Sequence, residues 1–171
     1  LDVAGFRSRV VPMGFPAGGS GSRLAAAVEG LCDRSEQALA EGDSLLVLSD
    51  RDLPEGTAPI PALLAVSAVN QHLARKGRRT SAGLIVETGE AREVMHMALL
   101  LGYGATAVNP YLAFDTVAAM DLRRELSRNP SVGVALENYI QALGKGLLKI
   151  MSKMGISTLR SYRSAQVFEA V

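Results

Sequence analysis

The chain has 171 residues, of which 48% are hydrophobic and 20% are charged, and its formal net charge is +1. A chain of this length and composition can bury a hydrophobic core without a metal or a disulfide, so we expect one domain over residues 1–171. The small net charge excludes a broad basic surface for nucleic acid or an anionic membrane. No segment approaches the roughly 20 apolar residues of a membrane-spanning helix, and the first residues of the sequence do not have the basic, apolar and small-residue pattern expected of a secretion signal. We therefore expect a cytoplasmic protein.

The two ends of the sequence are typical of a segment taken from a longer chain. Residue 1 is leucine, and residues 168–171 end in helix-forming composition without a stop signal. Residues 1–22 read as a lead-in whose first stretch is either a strand or an extended segment, and Pro12 and Pro16 argue against a central strand there. The glycine- and serine-rich run from Gly18 to Ser22 predicts a flexible connection, either a natural surface loop or an engineered one.

Three apolar runs, at residues 44–48, 82–86 and 105–108, predict buried strands, and helices are predicted before, between and after them. Strand–helix units in this order imply right-handed crossovers, so we expect an α/β fold with a mostly parallel sheet covered by helices. An incomplete (β/α) barrel fits the same pattern. Further helices are predicted over 113–127 and 132–154, the second interrupted near Gly144 and Gly146.

The segment after the second apolar run carries helix-start signals. Thr88 can cap free backbone amides, while Glu90 and Glu93 complement the positive end of a helix dipole. These signals predict a helix that opens at residues 87–90, with Gly102 at its end.

Polar residues follow each predicted strand, and the carboxyl ends of parallel strands share one edge of a sheet. We therefore expect Arg51, Glu87, Asn109 and Tyr111 to form one polar rim. Such residues commonly anchor loops: Arg51 would pair with an acidic neighbour, Glu87 would accept backbone amides and Asn109 would stabilise the turn before a proline. A functional role for the rim is the alternative.

Other reactive residue types have ordinary explanations. The lone Cys32 falls on the apolar face of a predicted helix, which indicates a packed thiol. His72 and His96 lie on different helices with no second ligand at metal spacing. The sequence therefore predicts no catalytic, cofactor-binding or metal-binding residue in this chain.

Lys145, Lys149 and Lys153 recur every four residues and so share one helix face. Each like-charged pair should cost about 0.2–0.5 kcal/mol unless an acidic surface faces it. A solvated face is one explanation, and an interface with an adjoining acidic domain is the other.

Several motifs in one order resemble the large subunit of glutamate synthase, and they cover most of the chain from about Leu24 onward. They are LSDR at 48–51, IPALLAV at 60–66, ETGEAREV at 87–94, GYGA at 102–105, NPYLA at 109–113 and KGLLKIMSKMGISTL at 145–159.

The resemblance implies the central α/β domain of that subunit, which lies between a glutamine amidotransferase domain and an FMN and iron–sulfur synthase domain. In that family, ammonia from glutamine is channelled to 2-oxoglutarate, and the resulting imine is reduced to glutamate. The implied partners are the amidotransferase and FMN-binding domains of the same chain and an electron-donating small subunit. The resemblance implies no cofactor for this segment, since it lacks the nucleophilic cysteine, the cysteine cluster and the flavin barrel.

Two functions remain open from the sequence. The first is a connecting domain that positions the two catalytic domains for ammonia transfer in glutamate biosynthesis, with the rim and the three lysines at the domain interfaces. The alternative is a small autonomous α/β enzyme that binds an anionic metabolite at a rim of Asp50, Arg51, Glu87 and Asn109.

Overall fold

A computed structural model describes residues 5–18, 21–123 and 131–168 of the chain. Its centre is a parallel sheet of four strands: β1 (Ser8–Pro12), β3 (Leu45–Ser49), β5 (Gly83–Glu87) and β6 (Ala107–Asn109). A small antiparallel pair, β2 (Gly14–Pro16) with β4 (Thr57–Pro59), extends from it. The predicted parallel sheet is thus confirmed, and the lead-in contributes its edge strand β1, a position that tolerates the terminal Pro12.

The spatial order of the strands is their order in sequence, β1–β3–β5–β6, and every pair is parallel. Three helices fill the crossovers: α1 (Ser22–Ala40), α2 (Ala62–Arg75) and α3 (Val94–Gly102). Right-handed crossovers that always advance in one direction place their helices on the same face of the sheet. This singly wound order is that of a (β/α) barrel segment and not of a doubly wound sheet.

The core lies between the sheet and these helices. Side chains alternate between the two faces of a strand, and the rows that face the helices are fully buried. Leu46 and Leu48 of β3 and Leu84 and Val86 of β5 have no exposed surface. On the opposite face, Val10 of β1 remains 59% exposed. The helices therefore cover one face of the sheet more completely than the other.

Three more helices follow the sheet: α4 (Tyr111–Leu122), α5 (Val132–Lys153) and α6 (Leu159–Tyr162). α5 packs against α3 and α4. The buried Tyr162 of α6 donates a hydrogen bond to the carbonyl oxygen of Ala98, which fastens the C-terminal segment to α3. The predicted helix over 113–127 begins two residues earlier, and its predicted end lies outside the described residues, as do residues 19 and 20 of the glycine- and serine-rich run.

The helix start predicted at residues 87–90 is wrong. Glu87 is the last residue of β5, residues 88–93 form a loop, and α3 begins at Val94 after the extended residue Glu93. The Glu90 carboxylate instead accepts a hydrogen bond of 2.8 Å from the backbone N–H of Ala62, the first residue of α2. Glu90 therefore stabilises the positive end of a different helix, one without a side-chain cap of its own.

The interruption predicted near Gly144 and Gly146 is also wrong, because α5 runs without a break from Val132 to Lys153. Gly146 lies where α5 meets the start of α3, and a Cβ atom there would stand 2.7 Å from Cγ1 of Val94. Glycine at this position allows the close approach of two helices. Tertiary packing thus offsets the poor helix propensity of glycine.

This contact predicts opposite effects for two neighbouring substitutions. Gly146→Ala should destabilise the chain by about 1–3 kcal/mol through overpacking against Val94. Gly144→Ala is the matched control: a Cβ there meets no atom within 4 Å, so the change should stabilise the helix by up to about 1 kcal/mol. Urea denaturation followed by circular dichroism measures both. Equal effects of the two substitutions would contradict the packing role of Gly146.

Candidate polar rim at the carboxyl ends of the strands

The last residues of three neighbouring strands form a row across the sheet. Ser49 pairs in register with Glu87, and Glu87 pairs with Asn109. Residues in register on adjacent parallel strands project from the same face, so their three polar side chains lie side by side. The sequence prediction that Glu87 and Asn109 share one edge is met, and Ser49 joins them.

The Glu87 carboxylate is the centre of this row. Its Oε2 accepts a hydrogen bond of 2.7 Å from the Ser49 hydroxyl, and its Oε1 accepts one of 3.1 Å from the Asn109 amide. Arg51 Nη1 lies 3.6 Å from the same Oε1. Only 19% of the Glu87 side chain is exposed, so these partners replace most of its water contacts. One carboxylate therefore joins the ends of β3, β5 and β6.

A second carboxylate, that of Asp50, holds the loop that follows β5. It accepts a hydrogen bond of 2.5 Å from the Thr88 hydroxyl and one of 3.0 Å from the backbone N–H of Gly89. Thr88 is fully buried, and its hydroxyl also accepts from the backbone N–H of Glu90. Thr88 thus stabilises the loop after β5 and does not cap a helix. Sequence reasoning missed this because the partner, Asp50, is 38 residues away.

Tyr111, at the start of α4, closes the rim. The guanidinium carbon of Arg51 lies 5.0 Å from the centre of the Tyr111 ring, within the range of a cation–π contact. Burial, together with a hydrogen bond to Asp50 and the charge of that carboxylate, raises the pKa of Tyr111 to about 12. All four predicted rim residues are therefore in one cluster, and Arg51 has the predicted acidic neighbour.

The polar side chains of the rim are engaged in hydrogen bonds and charge contacts with one another. The Glu87 and Asp50 carboxylates both accept hydrogen bonds from neighbouring groups, and the raised pKa keeps Tyr111 neutral. Among the described hydrogen bonds, Ser49 donates to the Glu87 carboxylate and accepts from the backbone N–H of Arg51, and it has no histidine partner. Glu87 is therefore the potential base for Ser49, but its carboxylate is shared with Asn109 and Arg51.

The other candidate residues have ordinary partners. Cys32 is buried, and burial raises the pKa of its thiol, which disfavours the reactive thiolate. His72 Nε2 lies 2.7 Å from a Glu36 oxygen, and His96 Nδ1 accepts from the backbone N–H of Arg92. Within residues 5–18, 21–123 and 131–168, no three histidine, cysteine, aspartate or glutamate side chains are grouped as a metal site would need.

The three lysines lie on the exposed side of α5. Lys145, Lys149 and Lys153 are all exposed, and none of the ion pairs found in the described part of the chain includes them. Ile140 and Leu148 of the same helix are 54% and 64% exposed. The exposed side of α5 therefore combines apolar and cationic side chains. No helix among the described residues is both long enough and apolar enough to cross a membrane.

Fold and rim together define a parallel α/β domain with barrel-like strand order and a polar edge of internally bonded side chains. A double mutant of flavocytochrome b2 with pyruvate bound has a similar fold, with a TM-score of 0.57 over 82% of this chain and 35% of that chain, at 17% identity. The family model for the glutamate synthase central domain matches residues 2–171. The chain belongs to the glutamate synthase central domain family.

Named relatives agree with this assignment. The chain is 52% identical, over 81% of its length, to the glutamate synthase (NADPH) large chain of Bacillus subtilis (strain 168). It is 46% identical, over 84% of its length, to the chloroplastic ferredoxin-dependent glutamate synthase of Oryza sativa subsp. japonica. It spans only 9% and 10% of these two relatives.

The environment of Tyr111 predicts that its phenol ionises at a higher pH than an ordinary tyrosine. Its phenol, which ionises near 10 in an unfolded chain, should ionise near 12 in the folded one. Because the folded pKa is the higher one, the stabilisation is complete below pH 10 and is lost as the pH rises to about 12. Carbon-13 NMR of ring-labelled tyrosine, with Tyr111→Phe to assign the signal, measures it. A Tyr111 signal that titrates near pH 10 would contradict the described environment.

Proposed function

We propose that this domain positions the catalytic domains of a glutamate synthase large chain, so that ammonia released from glutamine reaches the synthase site without loss to water. The support is the rim itself, where two carboxylates fix the strand ends and their loops in one arrangement. A rigid edge of this kind suits a surface that holds other domains in a set geometry. By itself, the domain is proposed to be inactive.

The rim is the surface that we assign to the ammonia route. Arg51, Glu87, Asn109 and Tyr111 would contact the neighbouring domains and line or brace the path between them. Arg51 is more accessible than its partner Glu87, because 46% of the Arg51 side chain is exposed and only 19% of the Glu87 side chain. Arg51 would therefore make the contact, while Glu87 would hold it in place.

The exposed side of α5 is the second proposed interface. Ile140 and Leu148 supply apolar surface, and the neighbouring Lys145, Lys149 and Lys153 carry three positive charges. An adjoining domain of the same chain with an acidic border would cover the apolar residues and relieve the repulsion among the lysines.

Parent-chain chemistry is part of the same proposal. The parent protein would be a cytoplasmic oxidoreductase of nitrogen assimilation that converts glutamine and 2-oxoglutarate to glutamate. Its other domains would hold FMN and an iron–sulfur cluster, and an electron-donating small subunit would be its partner. This chain does not fit the cluster: its only cysteine, Cys32, is buried in the core, whereas such a cluster is commonly held by four cysteine thiolates.

Replacement of Glu87 tests the rim. Glu87→Ala in the full-length enzyme removes the acceptor for Ser49, Asn109 and Arg51, and should raise the amount of glutamine hydrolysed per glutamate formed. Glutaminase and synthase rates, measured in the same reaction mixture, give this ratio. Glu29→Ala, a change at an exposed glutamate of α1, is the matched control and should leave the ratio unchanged. A folded Glu87→Ala enzyme with the wild-type ratio would reject the proposed role.

Chemical modification tests the α5 interface. If a neighbouring domain covers this face, Lys145, Lys149 and Lys153 should be acetylated more slowly in the full-length enzyme than in this 171-residue chain. Lys76, at the end of α2, provides an internal control, because its amino group is paired with Glu36 within this domain. Mass spectrometry after a short pulse of acetic anhydride reads all four sites. Equal acetylation of the three lysines in both proteins would exclude the interface.

A further inference from the structure

Three arginines lie together near the amino ends of the strands, at the opposite edge of the sheet from the rim. No sequence pattern predicts that they are close together. Arg79, Arg160 and Arg163 line one pocket of about 400 Å³ together with Thr80, Ala82 and Ser164. Arg79 precedes β5, while Arg160 and Arg163 lie in and just after α6. The C-terminal segment thus brings Arg160 and Arg163 next to Arg79, although Arg79 and Arg160 are 81 residues apart in the sequence.

Arg79 is held firmly in the wall of this pocket. Its Nη1 donates to the carbonyl oxygen of Ala82 at 2.8 Å, and its Nη2 donates to that of Gly104 at 2.6 Å. Its Nε donates to the side chain of Asn70. Arg79 therefore joins the entry to β5 to the turn that precedes β6. These partners are neutral groups, so they satisfy hydrogen bonds without cancelling the charge.

Arg163 is positioned beside it. Its Nη1 donates to the Thr106 hydroxyl at 2.9 Å, just before β6. Burial, and then the positive charge of Arg163, lower the pKa of Arg79. The next residue, Ser164, adopts a left-handed backbone conformation with φ of 58°, which is uncommon for a residue with a side chain. The chain thus accepts an unfavourable local conformation at the same place.

No ion pair among the described residues neutralises these guanidinium groups; the carboxylates that do form ion pairs there belong to other clusters. Adjacent cations in a partly desolvated pocket repel each other, and the repulsion ends when an anion binds between them. Guanidinium groups also present planar pairs of N–H donors that match the oxygens of carboxylate and phosphate groups.

We propose that the pocket formed by Arg79, Arg160 and Arg163 binds an oxyanion, a carboxylate or phosphate group, at the amino ends of β5 and β6. Arg79 would provide fixed charge in the wall, and Arg160 and Arg163 would supply the donors that close on the anion. The group would come either from a small diffusible anion or from an acidic side chain of another domain of the full-length protein.

The test uses inorganic phosphate with the full-length protein. Thermal unfolding is measured against phosphate concentration, with sodium chloride at matched ionic strength as the reference. A ligand that binds only the folded protein raises its melting temperature in a saturable way. Arg160→Gln combined with Arg163→Gln should weaken phosphate binding at least about tenfold, since each charged hydrogen bond removed changes a binding constant by roughly that factor.

Two further variants make the result specific. Arg34→Gln combined with Arg75→Gln removes the same charge outside the pocket and should bind phosphate as the wild type does. Arg160→Lys combined with Arg163→Lys keeps the charge, loses the planar donor pairs and should fall between wild type and the glutamine pair. The lysine pair also serves if the glutamine pair does not fold.

The outcomes distinguish the two sources of the oxyanion. A saturable shift that the pocket variants weaken supports a diffusible anion. A carboxylate supplied by the full-length protein is supported by two results together. Phosphate does not shift the melting temperature, and the pocket variants melt at a lower temperature than the Arg34 and Arg75 control. The proposal is overturned if phosphate has no effect and the pocket variants melt like the control, or if phosphate shifts all variants equally.

Discussion

The arrangement of this domain depends on one carboxylate, that of Glu87, which bonds to the last residues of the strands on either side of its own. Backbone hydrogen bonds fix the register of β3, β5 and β6, and that register places Ser49 and Asn109 on either side of Glu87. A carboxylate with 19% of its side chain exposed is stable only when its oxygens have such partners. The polar rim is therefore a consequence of the sheet, and it also fixes the ends of that sheet.

The parallel sheet and most of the polar rim could be predicted from the sequence, because they follow from local sequence patterns. Apolar runs predict strands, their alternation with helices predicts parallel pairing, and parallel pairing brings Glu87 and Asn109 to one edge. The pairing of Arg51 with an acidic neighbour followed from the same geometry. The singly wound strand order required the structure, since crossover direction leaves no local pattern.

The features that sequence reasoning missed all depend on contacts between distant residues. Thr88 and Glu90 carry the signals of a helix start, but their partners are Asp50 and the first N–H of α2. Gly146 has a poor helix propensity, yet its lack of a side chain admits Val94. The pocket of Arg79, Arg160 and Arg163 has no local signal, because the final helix brings its members together only in the folded chain.

The most direct test of the central claim is the coupling energy between Ser49 and Glu87 in unfolding. A double-mutant cycle of Ser49→Ala and Glu87→Gln, measured by urea denaturation, should give a coupling of about 1 kcal/mol or more, because a hydrogen bond to a carboxylate contributes about 1.5–3 kcal/mol. The same cycle with Ser44→Ala, at the other end of the strand region, should be additive to within about 0.5 kcal/mol. A Ser49 cycle that is equally additive would show that the Glu87 carboxylate does not hold the strand ends together.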